Sequence, residues 1–218
     1  MKNNFAVIFD MDGVLVDNNH VHIEAWKIFA DKLGFELTPE KIKNDIFGRT
    51  NSDAFKRLYD PNLTNEELKK LSQEKEALYR EIYRPQIKPV KGLIEFLNEL
   101  KRHSIPMAIA TSAIEENVEF VTSELGISSY FKVVINESHV TKGKPDPQVY
   151  LMAASQLGFE PADCIVIEDS LSGVQAGLNA GCKVIGLTTS HSSGELASTQ
   201  LVSDDFSPLT FEKVSHLS

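Results

Sequence analysis

The sequence predicts an α/β fold, a doubly wound parallel sheet with an all-helical domain inserted after the first strand. Short apolar runs alternate with amphipathic helical patterns over residues 88–218, whereas residues 17–87 contain helical patterns and no buried strand. Alternating strands and helices are typical of a parallel sheet that helices cover on both faces. We therefore expect a Rossmann-like core made of residues 1–16 and 88–218, and a helical domain made of residues 17–87.

Each predicted strand is a run of four or five mainly apolar residues, the length expected for a buried strand. These runs are Phe5–Phe9, Pro106–Ala110, Phe131–Ile135, Cys164–Ile167 and Lys183–Leu187. Helical patterns lie between them at about 91–103, 114–125, 146–157 and 170–180. The tail after Ser190 is rich in serine, and only a final helix within 208–217 is predicted there. His191 in this tail has no partner pattern and is expected to be exposed.

The inserted segment contains two amphipathic patterns, Val21–Leu33 and Asn65–Tyr83. Thr64, followed three residues later by Glu67, fits a capping box that opens the second helix. The run from Glu66 to Glu81 is rich in both charges and is expected to form a solvated helix face.

Composition excludes several classes of partner. The formal net charge is −9, and no dense Lys/Arg stripe is present, so neither nucleic acid nor an anionic membrane is an expected partner. The N-terminus lacks a signal-peptide pattern, and no apolar run is long enough to span a bilayer. We therefore expect a cytoplasmic protein. A monomer is also expected. Cys164 and Cys182 lie in apolar stretches and are expected to be buried thiols.

Acidic residues follow two of the predicted strands. In doubly wound sheets, ligands bind beyond the carboxyl ends of the strands. Asp10 and Asp12 follow the first strand, and Glu168 and Asp169 follow the run that ends at Ile167. Four carboxylates in one crevice would repel one another unless a divalent cation neutralised them. Ligands that are all oxygen favour Mg²⁺ over zinc, so these four residues are the predicted magnesium site.

Groups suited to binding phosphate follow the other strands. Thr111 and Ser112 come directly after the second strand and before a helix, where backbone N–H groups attract anions. Lys144, in the loop after the next strand, adds a positive charge. A nucleophile, a metal site, a proton donor and a cradle for phosphate are together the parts that phosphoryl transfer requires. The predicted substrate is a small phosphorylated metabolite.

Four motifs, in this order, resemble those of the haloacid dehalogenase superfamily, in particular its β-phosphoglucomutase-like subgroup. They are Asp10-Met-Asp-Gly-Val-Leu-Val-Asp17, Ala110-Thr-Ser-Ala113, Gly143-Lys-Pro-Asp146 and Ile167-Glu-Asp-Ser170. The resemblance covers nearly the whole chain. It implies a magnesium-dependent enzyme that forms an aspartyl-phosphate.

The resemblance also implies a role for each matching position. Asp10 would be the nucleophile, and Asp12 the general acid/base, whose backbone carbonyl would also bind the metal. Phosphate binding is implied for Thr111, Ser112 and Lys144, and metal binding for Asp10, Asp12, Glu168 and Asp169. An alternative for Glu168 is that it only supports the ligand Asp169.

The helical insertion resembles the cap that closes over the active site in this family and excludes water. His22 matches a histidine that couples cap closure to activation, although it is also a candidate for a hinge or core histidine without chemistry. The loop candidates for substrate contact are Arg49, Thr50 and Asn51. Arg49 would hold a distant phosphate, or would be a surface arginine.

Three functions fit these residues. In a phosphatase, water accepts the phosphoryl group from Asp10, whereas in a β-phosphoglucomutase-type mutase a sugar phosphate accepts it. A regulatory domain that is phosphorylated without turnover is the third reading, against which the acid at Asp12 argues. The family's cap lysine, expected near the end of the long cap helix, has no clear match, since Arg80 or Glu81 falls there. A phosphatase is therefore the predicted activity.

Overall fold

The structure, a computed structural model, describes residues 5–46 and 50–217. The chain divides into two compact units: a core unit, Met1–Asp17 with Ile87–Ser218, and a helical unit, Asn18–Gln86. Within the part of the chain that the structure describes, no helix has both the length and the apolar character needed to cross a membrane.

Helices account for the regular structure described in the helical unit. They are α1 (Asn19–Leu33), α2 (Pro39–Lys41), α3 (Asn51–Leu58) and α4 (Asn65–Tyr83), with a π-helical turn at Ile42–Ile46. Trp26 of α1 and Phe55 of α3 meet in the core of this unit, with ring centroids 4.6 Å apart. The predicted capping box is confirmed, since the Thr64 side chain accepts from the Glu67 N–H and the Glu67 carboxylate accepts from the Thr64 N–H.

The core unit contains one six-stranded sheet. Its strands are β1 (Ala6–Phe9), β2 (Met107–Ala110), β3 (Val133–Ile135), β4 (Cys164–Glu168), β5 (Lys183–Leu187) and β6 (Leu201–Ser203). The order is β3-β2-β1-β4-β5-β6, and neighbouring strands pair in parallel. The predicted fold class, a doubly wound parallel sheet with helices on both faces, is confirmed.

Helices cover both faces of this sheet. They are α5 (Leu93–Arg102), α6 (Glu115–Glu124), α7 (Gln148–Leu157), α8 (Leu171–Asn179) and α9 (Phe211–Ser215). Single 3₁₀ turns lie at Ser128–Tyr130, Glu137–His139 and Pro161–Asp163.

The central strand β1 is buried on both faces, as a strand in the middle of a doubly wound sheet must be. Ile8 packs in the cluster that includes Tyr150 of α7 and Val174 of α8. Phe9, one residue on, points to the opposite face and contacts the ring of Phe96 from α5, with centroids 6.2 Å apart. The side chains of β1 therefore pack into the apolar layers on both faces of the sheet.

The edge strands differ from the sequence prediction. The predicted strand from Phe131 is shorter and begins at Val133, and Val134 is 37% exposed because β3 has a neighbour on one side only. Strand β6 was not predicted, and it adds the opposite edge beyond β5. The two cysteines are buried free thiols, as predicted, and burial raises the pKa of each to about 12.

The chain leaves the core unit and returns to it at neighbouring points. The Val90 N–H donates to the Leu15 carbonyl over 3.0 Å, and Val16 forms an antiparallel bridge with Pro89. The insertion therefore begins and ends at two segments that the core unit itself holds together.

Candidate active site

Lys144 joins carboxylates from two neighbouring strands. Strands β1 and β4 pair so that Phe9 lies beside Ile167, which places Asp10 and Glu168 side by side where the strands end. The Lys144 ammonium lies 2.9 Å from Asp10 Oδ1 and 2.6 Å from Glu168 Oε1. It also donates to the Ala110 carbonyl of β2 over 3.4 Å. One lysine therefore links the carboxyl ends of three adjacent strands.

The Glu168 carboxylate is fully buried and accepts five hydrogen bonds. Oε1 accepts from Lys144 and, over 2.8 Å, from the hydroxyl of Tyr150. Oε2 accepts from the N–H groups of Asp169 and Ser170, each over 2.9 Å, and from the Ser170 hydroxyl. A carboxylate has about four lone-pair positions, so these donors engage it thoroughly. Glu168 therefore anchors Lys144 and the start of α8 in this structure.

Electrostatics make this cluster unusual. The pKa of Asp10 is raised to about 7, chiefly by burial; the charge of Lys144 opposes this rise, and the charges of Glu168 and Asp12 add to it. Burial, followed by the charges of Glu168 and Asp10, raises the pKa of Asp169 well above its ordinary value. Burial alone would raise the pKa of Glu168, but Lys144 and the hydrogen bonds hold it below its usual value. The positive charge of Lys144 therefore does not neutralise the negative charges of Asp10, Glu168 and Asp169.

These carboxylates fit a hard divalent cation. Asp10, Glu168 and Asp169 are all buried, and each offers an oxygen such that these atoms lie within 4.8 Å of one another. A cation at this point would favour the charged forms of Asp10 and Asp169, which burial disfavours. The cluster can therefore hold a metal ion, and its all-oxygen donors suit magnesium.

Gly13 leaves room for this arrangement. Its φ of 78° lies in the left-handed region, and a Cβ at this position would overlap the carboxylate of Asp169. The first acidic loop can therefore approach the second only because residue 13 has no side chain.

The remaining predicted core residues lie at the same edge of the sheet. Asp12 is half-buried, and its charge acts on Asp10. Thr111 is buried at the end of β2, where its hydroxyl accepts from the Ala113 N–H over 3.1 Å. Ser112 is exposed, two residues before the N-cap of α6 at Ile114. The structure thus brings these predicted residues to adjoining strand ends.

The helical unit contains a second polar cluster, which the sequence analysis did not predict. The Lys75 ammonium lies 2.9 Å from His22 Nδ1 and 2.8 Å from Glu76 Oε1. Asn51 donates to the same Glu76 oxygen over 2.7 Å. The His22 ring stacks on Tyr79 with centroids 4.0 Å apart. Two of the predicted cap residues, His22 and Asn51, therefore belong to one network.

This cluster corrects the prediction of a solvated face from Glu66 to Glu81. Lys75 and Glu76 lie within that run but are only 2% and 5% exposed. Burying an ion pair is expensive unless its partners are well placed, and here Asn51 and His22 supply the further contacts. The buried Lys75 lies in the middle of α4, earlier in the helix than Arg80 and Glu81, where the family's cap lysine was expected.

The other predicted cap residues are less informative. Thr50 is exposed, and its side chain caps α3 by accepting from the Asp53 N–H over 3.2 Å. Arg49 lies outside the residues that the structure describes, so its predicted role stays a prediction.

Two residues of the serine-rich tail approach the acidic cluster and were missed. The Ser190 hydroxyl donates to Asp169 Oδ2, and His191 Nδ1 lies 3.0 Å from the Asp169 carbonyl oxygen. His191 is half-buried, which contradicts the expectation that it is exposed. The one available signal was position, because both residues closely follow the carboxyl end of a predicted strand.

Comparisons with known proteins agree with this geometry. The family model described as haloacid dehalogenase-like hydrolase matches residues 7–187. The phosphorylated carbohydrates phosphatase of Thermotoga maritima is 32% identical over 87% of this chain and 88% of its own length. The β-phosphoglucomutase of Bacillus subtilis is 29% identical over 84% of this chain and 82% of its own.

Solved structures give the same picture. A crystal structure from Entamoeba histolytica, described as a hydrolase of family IA, variant 3, superposes with a TM-score of 0.90 and 32% identity, covering 98% of each chain.

Among curated relatives, this chain spans about half the length of some, such as 53% of a plant phosphatase, and nearly the whole length of others.

Proposed function

Because the chain belongs to the haloacid dehalogenase-like hydrolase family, we propose that it is a magnesium-dependent phosphatase of small phosphorylated metabolites, such as sugar phosphates. Asp10 would carry the phosphoryl group, and water would be its final acceptor. A cytoplasmic location and a monomeric state stay predictions from the sequence.

One observation carries this proposal, the position of Lys144 between Asp10 and Glu168 at 2.9 and 2.6 Å. The side chain of Lys144 is only 7% exposed, and the adjacent acids raise its pKa well above the ordinary value although burial alone would lower it. It therefore stays charged at neutral pH. A fixed, desolvated positive charge beside a carboxylate is suited to stabilise the negative charge of a phosphoryl group.

The first half-reaction uses two aspartates. The Asp10 carboxylate attacks phosphorus, the bond from phosphorus to the ester oxygen breaks, and Asp12 donates a proton to the departing oxygen. Thr111 and Ser112, with neighbouring backbone N–H groups, would bind the phosphate oxygens beside Lys144. The products are an alcohol and an aspartyl-phosphate on Asp10.

The second half-reaction reverses the role of Asp12. Its carboxylate takes a proton from water, the water oxygen attacks phosphorus, and the Asp10 carboxylate is released with inorganic phosphate. Asp10, Asp169 and the backbone carbonyl of Asp12 would hold Mg²⁺, with Glu168 as a further ligand or as the support of Asp169. When bound, Mg²⁺ supplies positive charge that lets the substrate phosphate approach the acidic cluster.

We propose that the helical unit acts as a cap that selects the substrate and excludes water. The buried Lys75–Glu76 pair and the linked His22 and Asn51 support this role, because a stable helical core does not need charges at these positions. Arg49 and Thr50 are the loop residues proposed to contact the distant part of the substrate.

A mutase of the β-phosphoglucomutase type is the second candidate. One structural observation favours it beyond what the sequence indicated. The long helix α4 carries a lysine, Lys75, whose ammonium contacts His22. The similarity to a bacterial β-phosphoglucomutase supports the same alternative.

A metabolite screen with and without Mg²⁺ tests the proposal. Purified protein is incubated with phosphorylated sugars, polyol phosphates and p-nitrophenyl phosphate, and both phosphate release and isomerised product are measured. We expect Mg²⁺-dependent phosphate release from some metabolites. Isomerisation of β-glucose 1-phosphate, primed with a bisphosphate and without phosphate release, would instead establish the mutase.

Two variants test the covalent step. Asp10→Asn removes the nucleophile and is expected to abolish turnover while the fold is retained. Asp17→Asn is the matched control, because Asp17 is exposed and takes no part in the proposed mechanism. Full activity of Asp10→Asn would contradict the aspartyl-phosphate mechanism.

A further inference from the structure

The segment after β5 folds back onto both acidic loops of the core unit. Three successive residues each contact one of these loops through a side chain. The Thr189 hydroxyl donates to the Gly13 carbonyl over 2.5 Å, the Ser190 hydroxyl donates to Asp169 Oδ2, and His191 Nδ1 lies 3.0 Å from the Asp169 carbonyl oxygen. Such an arrangement ties the loop after β1 and the loop after β4 to a third strand end.

The contacts to Asp169 restrict both its side chain and its backbone. Gly13 lies so close that any Cβ there would overlap the Asp169 carboxylate, which limits rotation on that side. Ser190 binds Oδ2, and His191 holds the peptide carbonyl of the same residue. Because a carbonyl oxygen only accepts, the His191 ring must carry a proton on Nδ1.

Asp169 needs hydrogen-bond donors to hold its carboxylate in place, because it is buried beside two other carboxylates. It is 3% exposed, close to Asp10 and Glu168, and those charges oppose its own. The Glu168 carboxylate accepts from the Asp169 backbone N–H, so this contact holds the Asp169 backbone and leaves its side chain to other partners. Donors around a ligand carboxylate are known to set its orientation and its affinity for a metal.

We propose that Ser190 and His191 are positioning residues that hold Asp169 in the orientation required for the divalent cation, and that Thr189 fastens this segment to the Asp10–Gly13 loop. The inference rests on the proposed metal-dependent function of the same site. It assigns a role to three consecutive residues in a serine-rich segment.

The test measures metal binding without turnover. The full chain is stripped of metal and titrated with Mn²⁺, whose free fraction is followed by electron paramagnetic resonance, and Mg²⁺ affinity is then obtained by competition. For Ser190→Ala we expect affinity to fall by about 10- to 100-fold. Ser190→Thr keeps the hydroxyl and should bind almost as the wild type does.

Ser192→Ala is a matched control, because that serine lies in the same segment but donates to Glu195 over 2.6 Å. It should leave the Mn²⁺ affinity unchanged. For the histidine, His191→Ala should weaken binding, and His191→Asn should restore most of it, because the Asn amide nitrogen can replace the Nδ1 donor.

The unfolding midpoint of each metal-free variant separates positioning from folding. Equal affinities for Ser190→Ala and Ser192→Ala would overturn the role of Ser190, as would a loss of metal-free stability in Ser190→Ala that accounts for weaker binding. Failure of His191→Asn to improve on His191→Ala would overturn the role of His191. If the wild type itself bound neither Mn²⁺ nor Mg²⁺, the proposed metal-dependent function would fail, and this inference with it.

Discussion

The Tyr150 hydroxyl lies 2.8 Å from Glu168 Oε1, the oxygen that also accepts from Lys144. Tyr150 is buried in α7, and its ring lies 5.0 Å from the Lys144 ammonium. Helix α7 thus supports a carboxylate of β4 from the interior of the protein and borders the lysine that this carboxylate holds. The Tyr150 hydroxyl therefore connects the polar cluster at the strand ends to the apolar interior of the core unit.

Tyr150→Phe removes this hydroxyl and retains the ring. A hydrogen bond to a charged group contributes about 1.5 to 3 kcal/mol, so we expect the free energy of unfolding to fall by about that amount. Urea unfolding measures it. Tyr130→Phe is the control, because that hydroxyl bonds Asn98 over 2.7 Å at the surface. Equal, small effects of the two variants would show that the buried bond is not needed.

Lys144→Met leaves Asp10 and Glu168 without their shared cation. We expect phosphate release to fall by about 100- to 1,000-fold, since an electrostatic partner of the phosphoryl group is lost. Metal-free stability should fall by about 3 kcal/mol, because a buried ion pair has lost one partner. Lys142→Met, at a side chain that is 72% exposed, should change neither quantity. Substantial activity in Lys144→Met would exclude the proposed role of the lysine.

Gly173→Ala tests the space around Glu168. A Cβ at residue 173 would overlap the Glu168 carboxylate, so the carboxylate or the start of α8 must move. We expect a loss of about 2 to 4 kcal/mol in stability, together with loss of activity. Gly194→Ala, where no atom lies within 4 Å of the added carbon, is the comparison. A Gly173→Ala protein that is as stable and active as the wild type would contradict this placement of Glu168.

Glu76 should make the helical unit sensitive to acid. Burial alone would raise its pKa, but Lys75, His22 and Asn51 lower it from 4.5 to about 2. A carboxyl whose pKa is lower in the folded state stabilises the fold above pH 4.5, and this contribution is lost as the pH falls from 4.5 toward 2. The shift corresponds to about 3 kcal/mol.

Glu76→Gln removes this titration and leaves Lys75 buried without its carboxylate. We expect the variant to be less stable than the wild type at pH 7 and the difference to shrink toward pH 3. The fluorescence of Trp26 is a suitable probe, since it is the chain's single tryptophan and lies in the core of the helical unit. Glu81→Gln, at an exposed position of α4, is the control. A stability difference that does not change with pH would disprove the assignment.

Much of the fold followed from the sequence because its central strands are continuous apolar runs. Strands of this kind are buried on both faces, and β1, β2, β4 and β5 were each predicted at nearly the observed position. Strand β6 was missed because it has only three residues at a sheet edge, where one neighbouring strand suffices and little apolar character is required. The predicted family and fold class were confirmed.

The site was predictable where it depends on strand ends and unpredictable where it depends on tertiary packing. Parallel topology brings Asp10 and Glu168 together, and a sequence pattern can reveal that. Nothing in a charge-rich helix distinguishes the buried Lys75 and Glu76 from their solvated neighbours, because their burial and their contacts with His22 of α1 and Asn51 of α3 arise only from tertiary packing. Likewise, the contact between Ser190 and Asp169 depends on the path of a loop that carries no recognisable motif.

The hydrogen bond between Val90 and Leu15 bears on whether the helical insertion can be exchanged between relatives. Since the core unit itself clamps both ends of the insertion, excising residues 18–86 and joining the ends with a short turn should leave the strand order of the sheet intact. The entropy of closing a loop grows only slowly with its length, so grafting a helical insertion of another size should be tolerated equally well. We therefore expect the core unit to accept the helical insertion of a relative without redesign of its sheet.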